Sequence, residues 1–432
     1  MRGDADLRRR CHVNSGGTGD RFVGVRVDTD GARVCFPLGY HLPEGEEELR
    51  QDILRLIDVL ALCGDTKRST LAERIPEAEE QMNFPVSAYL NLIRRFLEQG
   101  CYFTEREQIR KTGDRGRIDW AASLKKNVAF LQEDGSPFFD RYTVRGSLPN
   151  ENNLITQVHK FCVYESFQTL GWLFTSYMPP DPHIEKDTRR FLHALRKKAG
   201  ITHNDDDKRL LQDMISVILY LDGERSRERR YFGTDRFEYV WEKLIDEIFG
   251  IRGKEEYFPR TDWQLKYGQD RENHALEPDS IMVCKGRVYV LDAKYYRYGI
   301  TGDVRHLPQS APINKQITYG EYVAGCRAMR DKYGDAPVYN AFLMPYDKKD
   351  NPFEIRGQDF ANIGEAVSQW KKGAYPYERV QGIVVDTRFL LKHYSGFHKS
   401  EILKLADMIE NALEENTLGT NRGAALADGW KP

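Results

Sequence analysis

The sequence has few of the features that mark several common protein classes. Its 7 cysteines are scattered, odd in number and nowhere spaced as C-x-x-C, which argues against a zinc ribbon or a disulfide framework. No apolar run approaches the roughly 18 residues of a membrane span, and the first residues carry no apolar signal segment. These absences predict a soluble, cytoplasmic protein with reduced thiols and no membrane partner.

A large excess of one charge is also missing. The chain has 64 Lys and Arg residues against 66 Asp and Glu residues, for a formal net charge of −2. Overall charge therefore gives no nucleic-acid signature, although a local basic groove is compatible with it. The sequence also has no G-x-x-x-x-G-K-[S/T] phosphate loop, no H-E-x-x-H motif and no serine elbow. We therefore expect that the chain does not hydrolyse nucleotides itself.

Length and composition support more than one packed domain. The 432 residues are 40% hydrophobic and 12% aromatic, enough for about two or three cores. Changes in pattern predict a flexible lead over 1–20, an α+β domain over 21–150 that binds a partner or DNA, and a helical region over 151–228. An α/β domain over 229–416 and a loose tail over 417–432 follow.

Two apolar runs in the C-terminal half are spaced as a β-hairpin. Glu277–Val283 and Val288–Tyr296 are separated by a short turn that contains Gly286. Residues i and i+2 of a strand share a face, so Asp292 and Lys294 project together, and the hairpin brings Asp279 beside them. The sequence therefore predicts two carboxylates and an ammonium at one end of a sheet.

This trio suits metal-assisted phosphodiester hydrolysis. Two carboxylates hold a hard cation such as Mg²⁺, which stabilises charge on the phosphate oxygens and lowers the pKa of a bound water. The lysine positions or deprotonates that water, or neutralises the developing anion. The alternative interpretation is a surface hairpin whose acids form an ordinary exposed salt bridge with Lys294.

Helices and strands are predicted to alternate around the hairpin. A helical apolar stripe spans Thr234–Gly250, and further helices are predicted over Ile313–Tyr333 and Lys399–Leu413. Strands are predicted over Val338–Pro345 and Gly382–Asp386, with a polar connection between them. The pattern indicates an α/β fold in which a mixed sheet is flanked by helices, preceded by a mixed, mainly helical N-terminal region.

One histidine lies in a strongly apolar setting. Asn153 to Met178 is apolar and aromatic, predicts a core helix and ends at a run of prolines. On that helix we interpret His159 as a buried, hydrogen-bonded residue rather than a site residue.

The residues of the hairpin resemble the catalytic core of the PD-(D/E)XK nucleases. The pattern is Pro278-Asp279 followed by Asp292-Ala293-Lys294. Over most of its length the chain also resembles a restriction endonuclease subunit of the LlaJI type, related in plan to the McrC nucleases. The landmarks of that resemblance are Phe36–Pro43, Gly116–Trp120, His159–Cys162, Val240–Glu242, Asp292–Tyr296, and Lys315–Gln316 with Tyr319.

The resemblance implies a PD-(D/E)XK nuclease domain over 229–416 and a set of roles within it. Asp279 and Asp292 would be metal ligands, and Lys294 would activate the water or stabilise charge. An acid on the preceding helix would complete the metal shell, with Glu242 the first choice and Glu238 the second. The expected metal is Mg²⁺, with Mn²⁺ as a substitute.

The resemblance also implies a further catalytic residue and partners. Gln316, on the helix after the hairpin, would hold the geometry of the site or approach the DNA backbone. Such subunits act on DNA in a restriction or phage-defence system with a separate McrB-like AAA+ GTPase, and a homodimer is compatible with this plan. Two alternatives stay open: a stand-alone sequence-specific type II restriction enzyme, and a non-catalytic scaffold with a degenerate nuclease fold.

Overall fold

The structure is a computed structural model that describes residues 7–28, 31–64, 84–113, 115–150, 152–222, 230–269, 271–273, 275–371, 373–396 and 398–427. The α-helices of these residues are α1 (Glu46–Gly64), α2 (Val86–Gln99), α3 (Trp120–Lys126), α4 (Leu154–Leu170), α5 (Thr188–Ile201), α6 (Asp205–Asp222), α7 (Phe237–Phe249), α8 (Tyr298–Thr301), α9 (Ser310–Gly325), α10 (Arg327–Tyr333), α11 (Thr387–Lys392) and α12 (Lys399–Ala427).

The strands of the same residues are β1 (Cys11–Val13), β2 (Val23–Asp28), β3 (Gly31–Phe36), β4 (Glu105–Gly113), β5 (Arg117–Ile118), β6 (Phe130–Leu131), β7 (Pro137–Phe138), β8 (Tyr142–Asn150), β9 (Arg230–Thr234), β10 (Asp262–Trp263), β11 (Arg271–Glu272), β12 (Ser280–Cys284), β13 (Arg287–Ala293), β14 (Val338–Tyr346), β15 (Phe360–Val367) and β16 (Arg379–Asp386). With 45% helix and 21% strand in mixed sheets, the predicted α/β class is confirmed. Within the described ranges no helix is both long and apolar enough to cross a membrane.

The chain divides into two compact units. The first unit joins Met1–Asn83 to Tyr231–Pro432, and the second is Phe84–Arg230. This division differs from the segments 21–150 and 151–228 predicted from sequence, because the N-terminal strands pack within the first unit. The Leu38 backbone N–H donates to the Tyr295 hydroxyl oxygen at 2.6 Å, and the Thr387 hydroxyl donates to the Leu38 carbonyl at 2.8 Å.

A five-stranded mixed sheet forms the centre of the first unit. Its strand order is β12-β13-β14-β16-β15. β12 pairs antiparallel with β13, β13 with β14 and β14 with β16 are parallel, and β15 is antiparallel to β16. The predicted hairpin and mixed sheet are therefore confirmed. The predicted polar connection between β14 and β16 is wrong, because it contains β15.

The edge strand β15 has a weak sequence signal for a physical reason. Its burial pattern is mostly intermediate, so apolar and polar residues do not alternate clearly. A register shift lies between Asn362 and Gly364, and Gly364 has a φ of +113°. A bulge of this kind breaks the period of two on which strand prediction depends.

Helices cover the sheet through their apolar stripes. α7 buries Phe237, Val240, Trp241, Leu244, Ile245, Ile248 and Phe249, and burying each such side chain is worth about 1.5–3 kcal/mol. α9 approaches the sheet closely at Gly320, where an added Cβ would lie 2.5 Å from Asn340 Nδ2. The helix predicted over Ile313–Tyr333 is broken at Cys326, whose extended backbone separates α9 from α10.

Both ends of the chain depart from the sequence-based expectations. Residues 7–20, predicted as part of a flexible lead, contain β1, which pairs parallel with β3. The Asn14 N–H extends that pairing to the Phe36 carbonyl at 2.9 Å. α12 continues through the start of the predicted loose tail to Ala427, where several alanines favour helix. Residues 1–6 and 428–432 lie outside the described residues.

The second unit combines helices with a small sheet. Its helices α4, α5 and α6 confirm the predicted helical segments, and α2 precedes them in the chain. The three-stranded sheet β4-β8-β5 was not predicted, because β4 is mostly charged and polar and shows no apolar alternation. His159 is buried and accepts the Phe103 backbone N–H at 2.8 Å, which confirms its interpretation as a hydrogen-bonded core residue.

Candidate active site

The hairpin brings three predicted site residues together. Ser280 pairs with Leu291, which places Asp279 just beyond the end of β12 and beside the end of β13. Asp279 Oδ2 accepts the Ala293 backbone N–H at 2.7 Å. The Lys294 ammonium forms an ion pair with Asp292 Oδ2. Asp279, Asp292 and Lys294 therefore meet at the carboxyl end of β13.

α7 is anchored to the same end of the sheet. Trp241 Nε1 donates to the Leu343 carbonyl at 3.2 Å, and the Lys294 backbone N–H donates to the same carbonyl at 2.9 Å. This shared acceptor fixes α7 and the end of β13 against β14. It brings Glu242, the residue after Trp241, close enough for its charge to act on Asp279. Glu238 lies one turn earlier and lines an adjoining cavity.

The charges of this cluster repel one another. Burial raises the pKa of Asp279 well above its ordinary value, and the charges of Asp292 and Glu242 raise it further. The Ala293 N–H and Lys294 offset only part of this effect. Burial alone would lower the pKa of Lys294, but the charges of Asp292 and Asp279 raise it above its ordinary value. Lys294 is therefore a stable ammonium at neutral pH.

Gln316 lies in the core beneath the cluster. It is 1% exposed, and its Nε2 donates to the Val290 carbonyl at 2.8 Å and to Asn340 Oδ1 at 3.4 Å. Among its hydrogen bonds to described residues, none reaches Asp279, Asp292 or Lys294. The structure thus places Gln316 as a brace between α9 and β13, two residues before Asp292.

Two further residues hold the start of β12. Neither was predicted from the sequence to act there. Lys254 donates to the Asp279 carbonyl and pairs with Asp246 at 2.6 Å. The Tyr319 hydroxyl donates to the Glu277 carbonyl at 3.1 Å. Tyr319 had a usable signal, since it lies three residues after Gln316 on one helix face. Lys254, in a 3₁₀ turn, had none.

Comparison with known proteins identifies the family. A family model for the LlaJI restriction endonuclease matches residues 22–367. The chain belongs to the LlaJI restriction endonuclease family. It is therefore a nuclease of a restriction system, and the predicted LlaJI membership is confirmed.

Other comparisons add little to the family assignment. No curated protein matches the chain. Among solved structures, a half-complex of Thermococcus gammatolerans McrB AAA+ hexamers with bound McrC shares 14% sequence identity. The match covers 87% of this chain and 81% of that chain, with a TM-score of 0.36. At that score the likeness carries no argument about fold or partners.

The residues of this LlaJI-family site fit a hard divalent cation. Carboxylate oxygens are preferred ligands of Mg²⁺, and a cation between Asp279 and Asp292 would offset the repulsion that raises the pKa of Asp279. In the part of the chain that the structure describes, no three His, Cys, Asp or Glu side chains are arranged to hold a metal by themselves. Water and phosphate oxygens would complete the shell, as is usual for Mg²⁺.

Proposed function

We propose that the chain is a magnesium-dependent DNA endonuclease of the PD-(D/E)XK type, and the nuclease subunit of a restriction system that acts against phage. The observation that carries this proposal is the convergence of Asp279, Asp292 and Lys294 at the carboxyl end of β13. An isolated surface salt bridge would not need a second, half-buried carboxylate beside it.

Each residue of the cluster has a distinct role in this proposal. Asp279 and Asp292 hold the metal and Glu242 is the accessory acid, with Mn²⁺ able to replace Mg²⁺. When bound, the cation would lower the pKa of a coordinated water and would stabilise charge on the phosphate. Lys294 orients or deprotonates the water, or stabilises the developing anionic charge. Gln316 is a positioning residue.

The partner of this nuclease is an McrB-like AAA+ GTPase. The sequence has no phosphate-binding loop of its own, and its net charge of −2 supplies little long-range attraction to DNA. A separate motor that binds DNA and hydrolyses the nucleotide would supply both functions.

Cleavage of plasmid DNA tests the proposal. The purified chain is incubated with supercoiled plasmid in Mg²⁺ or in EDTA, alone and with an McrB-like GTPase plus GTP. We expect cutting that needs Mg²⁺ and the GTPase. Cutting without the GTPase would favour the stand-alone type II enzyme. Equal cutting in EDTA would contradict the metal role, and no cutting under any condition would favour the scaffold.

A further inference from the structure

A cavity of about 730 Å³ lies beside the candidate active site within the first unit. Tyr295, Tyr296 and Arg297 line it and directly follow Lys294 in the chain. Glu238, which lines it from α7, lies one helical turn before Glu242. The cavity is thus lined by close chain neighbours of the catalytic cluster, and its volume falls in the range of about 300–1,000 Å³ that is typical of ligand sites.

Arg297 in this cavity has an unused hydrogen-bonding group. Its Nε is buried and has no hydrogen-bond partner among the described residues. No ion pair involves Arg297 in that part of the chain. A buried N–H without an acceptor destabilises the protein until an acceptor arrives. The guanidinium is therefore prepared for a ligand that brings oxygen atoms.

The N-terminal loop holds Arg297 in place. A Cβ added to Gly16 would lie 3.2 Å from Arg297 Cγ, so a larger residue at this position would press on the stem of the arginine. Gly16 also has a φ of +66°, which favours glycine. Asn14 Oδ1 fixes this turn by accepting the Gly16 N–H at 2.6 Å. The Gly16 turn therefore packs against the stem of Arg297.

The other charges of the lining indicate where an anion would bind. Arg305 is already engaged by Asp303, with Nε lying 3.0 and 2.9 Å from the two carboxylate oxygens. Asp235 and Glu238 make part of the wall acidic. Arg21 is exposed and, like Arg297, forms no ion pair with any described residue. An anionic ligand would therefore lie on the side of Arg297 and Arg21.

We propose that this cavity binds the DNA strand next to the cleaved phosphodiester, with the Arg297 guanidinium binding a backbone phosphate. The inference rests on the proposed function for the identity of its ligand. A guanidinium presents paired N–H donors that match two phosphate oxygens. Tyr296, 37% exposed at the cavity, offers a ring on which the adjoining base stacks.

DNA binding without cleavage tests this inference. Anisotropy of a labelled duplex oligonucleotide is measured in EDTA over a salt series with the full chain, Arg297→Gln, Arg297→Lys and Arg327→Gln. Arg327 is the matched control, because it is 94% exposed and lies on α10, which precedes β14 at the opposite end of the sheet. We expect Arg297→Gln to bind about tenfold more weakly, with a salt slope smaller by about 1. Arg297→Lys should restore the slope and part of the affinity, and Arg327→Gln should match the wild type.

Three outcomes would overturn the inference. They are equal binding by Arg297→Gln and Arg327→Gln, a loss that Arg297→Lys does not partly restore, and no DNA binding by the wild type. Failure of the proposed function gives a different result. A chain that binds DNA through Arg297 but never cuts it, with or without a GTPase, defeats the nuclease proposal and leaves the phosphate contact standing.

Discussion

At the scale of single residues, Asp279 is placed where its charge opposes folding. Burial is the largest cause of its raised pKa, and the negative charges of Asp292 and Glu242 raise the pKa further. The Ala293 N–H donates to its carboxylate but offsets only part of that effect. Such an arrangement lowers the stability of the metal-free protein but favours binding of a cation. Functional sites commonly lose stability in this way.

Replacing Asp279 by asparagine should therefore stabilise the metal-free protein. The amide oxygen of the substituted side chain could still accept the Ala293 N–H, and the repulsion with Asp292 would be lost. We expect Asp279→Asn to unfold at a higher temperature than the wild type in EDTA, and Mg²⁺ to raise the Tm of the wild type only. Differential scanning calorimetry measures both effects. A lower Tm for the variant, or an equal response to Mg²⁺ in both proteins, would contradict the assignment.

His159 should make the second unit sensitive to acid. Burial lowers its pKa to about 4, with a smaller contribution from Arg95, below the unfolded value of about 6.5. The folded state thus resists protonation, so stability present above pH 6.5 is lost as the pH falls toward 4. The expected loss by pH 4 is on the order of 3 kcal/mol.

His159→Asn is the variant that isolates this effect, because the asparagine Oδ1 takes the place of His159 Nδ1 and can still accept the Phe103 N–H, but the amide does not titrate. Urea unfolding at pH 7, 5.5 and 4 should show a steeper loss for the wild type than for the variant. Parallel loss in the two proteins would show that other groups cause the acid sensitivity.

At the scale of elements, the site depends on two cross-links beneath it. The Leu343 carbonyl accepts from both Trp241 and Lys294, so α7 and β13 keep a fixed separation. The second cross-link joins α9 to the sheet through Gln316 and Asn340. The Asn340 amide donates to the carbonyls of Gln316 and Tyr377 at 2.9 and 2.6 Å. These contacts set the position of the strand that carries Asp292.

Removing the Gln316 amide should lower activity through position rather than chemistry. Gln316→Leu leaves the Val290 carbonyl without its donor, at a cost of about 1–3 kcal/mol. We expect a lower kcat with an unchanged magnesium requirement. Gln381→Leu is the control, because Gln381 is equally buried but donates to Glu365 on β15. An equal loss of kcat in the two variants would contradict a specific role for Gln316.

The elements around the site were more predictable than those of the second unit. The hairpin and its acids follow from β-branched runs, a glycine turn and the period of two, all local in sequence. The brace of Lys254 on Asp279 depends on a tertiary contact, and no local pattern shows it. β4 was missed because its residues are charged, and its pairing with β8 follows from register over a long connection rather than from a core-facing apolar stripe.

At the scale of the whole molecule, the first unit is built from segments that are distant in sequence. Leu38 bonds to Tyr295 and Thr387, and the Arg388 guanidinium pairs with the buried Asp52 of α1 at 2.6 Å. The N-terminal residues therefore complete the core of the C-terminal region. The sequence predicts a domain boundary near residue 229 because these long-range contacts leave no local pattern in it.

A fragment cut at the predicted boundaries should not fold independently. Residues 229–416 alone would expose the surface that α1 covers, and would leave β9 without β2 and Arg388 without Asp52. We expect calorimetry of this fragment to show no cooperative transition. A transition within a few degrees of that of the full chain would show instead that the predicted domain is autonomous.

The most direct test of the central claim compares DNA cleavage by variants at the active-site end of the β12–β13 hairpin with cleavage by variants at its turn. Lys294→Ala and Asp292→Ala alter the candidate site. The controls are Lys285→Ala and Asp407→Ala, which remove a lysine–aspartate ion pair at the turn between β12 and β13. The two atoms of this pair lie 3.0 Å apart, and each side chain is 55% exposed. All four are assayed on plasmid DNA with Mg²⁺ and the GTPase. We expect both site variants to lose cutting while still unfolding in one cooperative transition, and both turn variants to cut normally. Cutting that survives Lys294→Ala and Asp292→Ala would contradict the assignment of the active site.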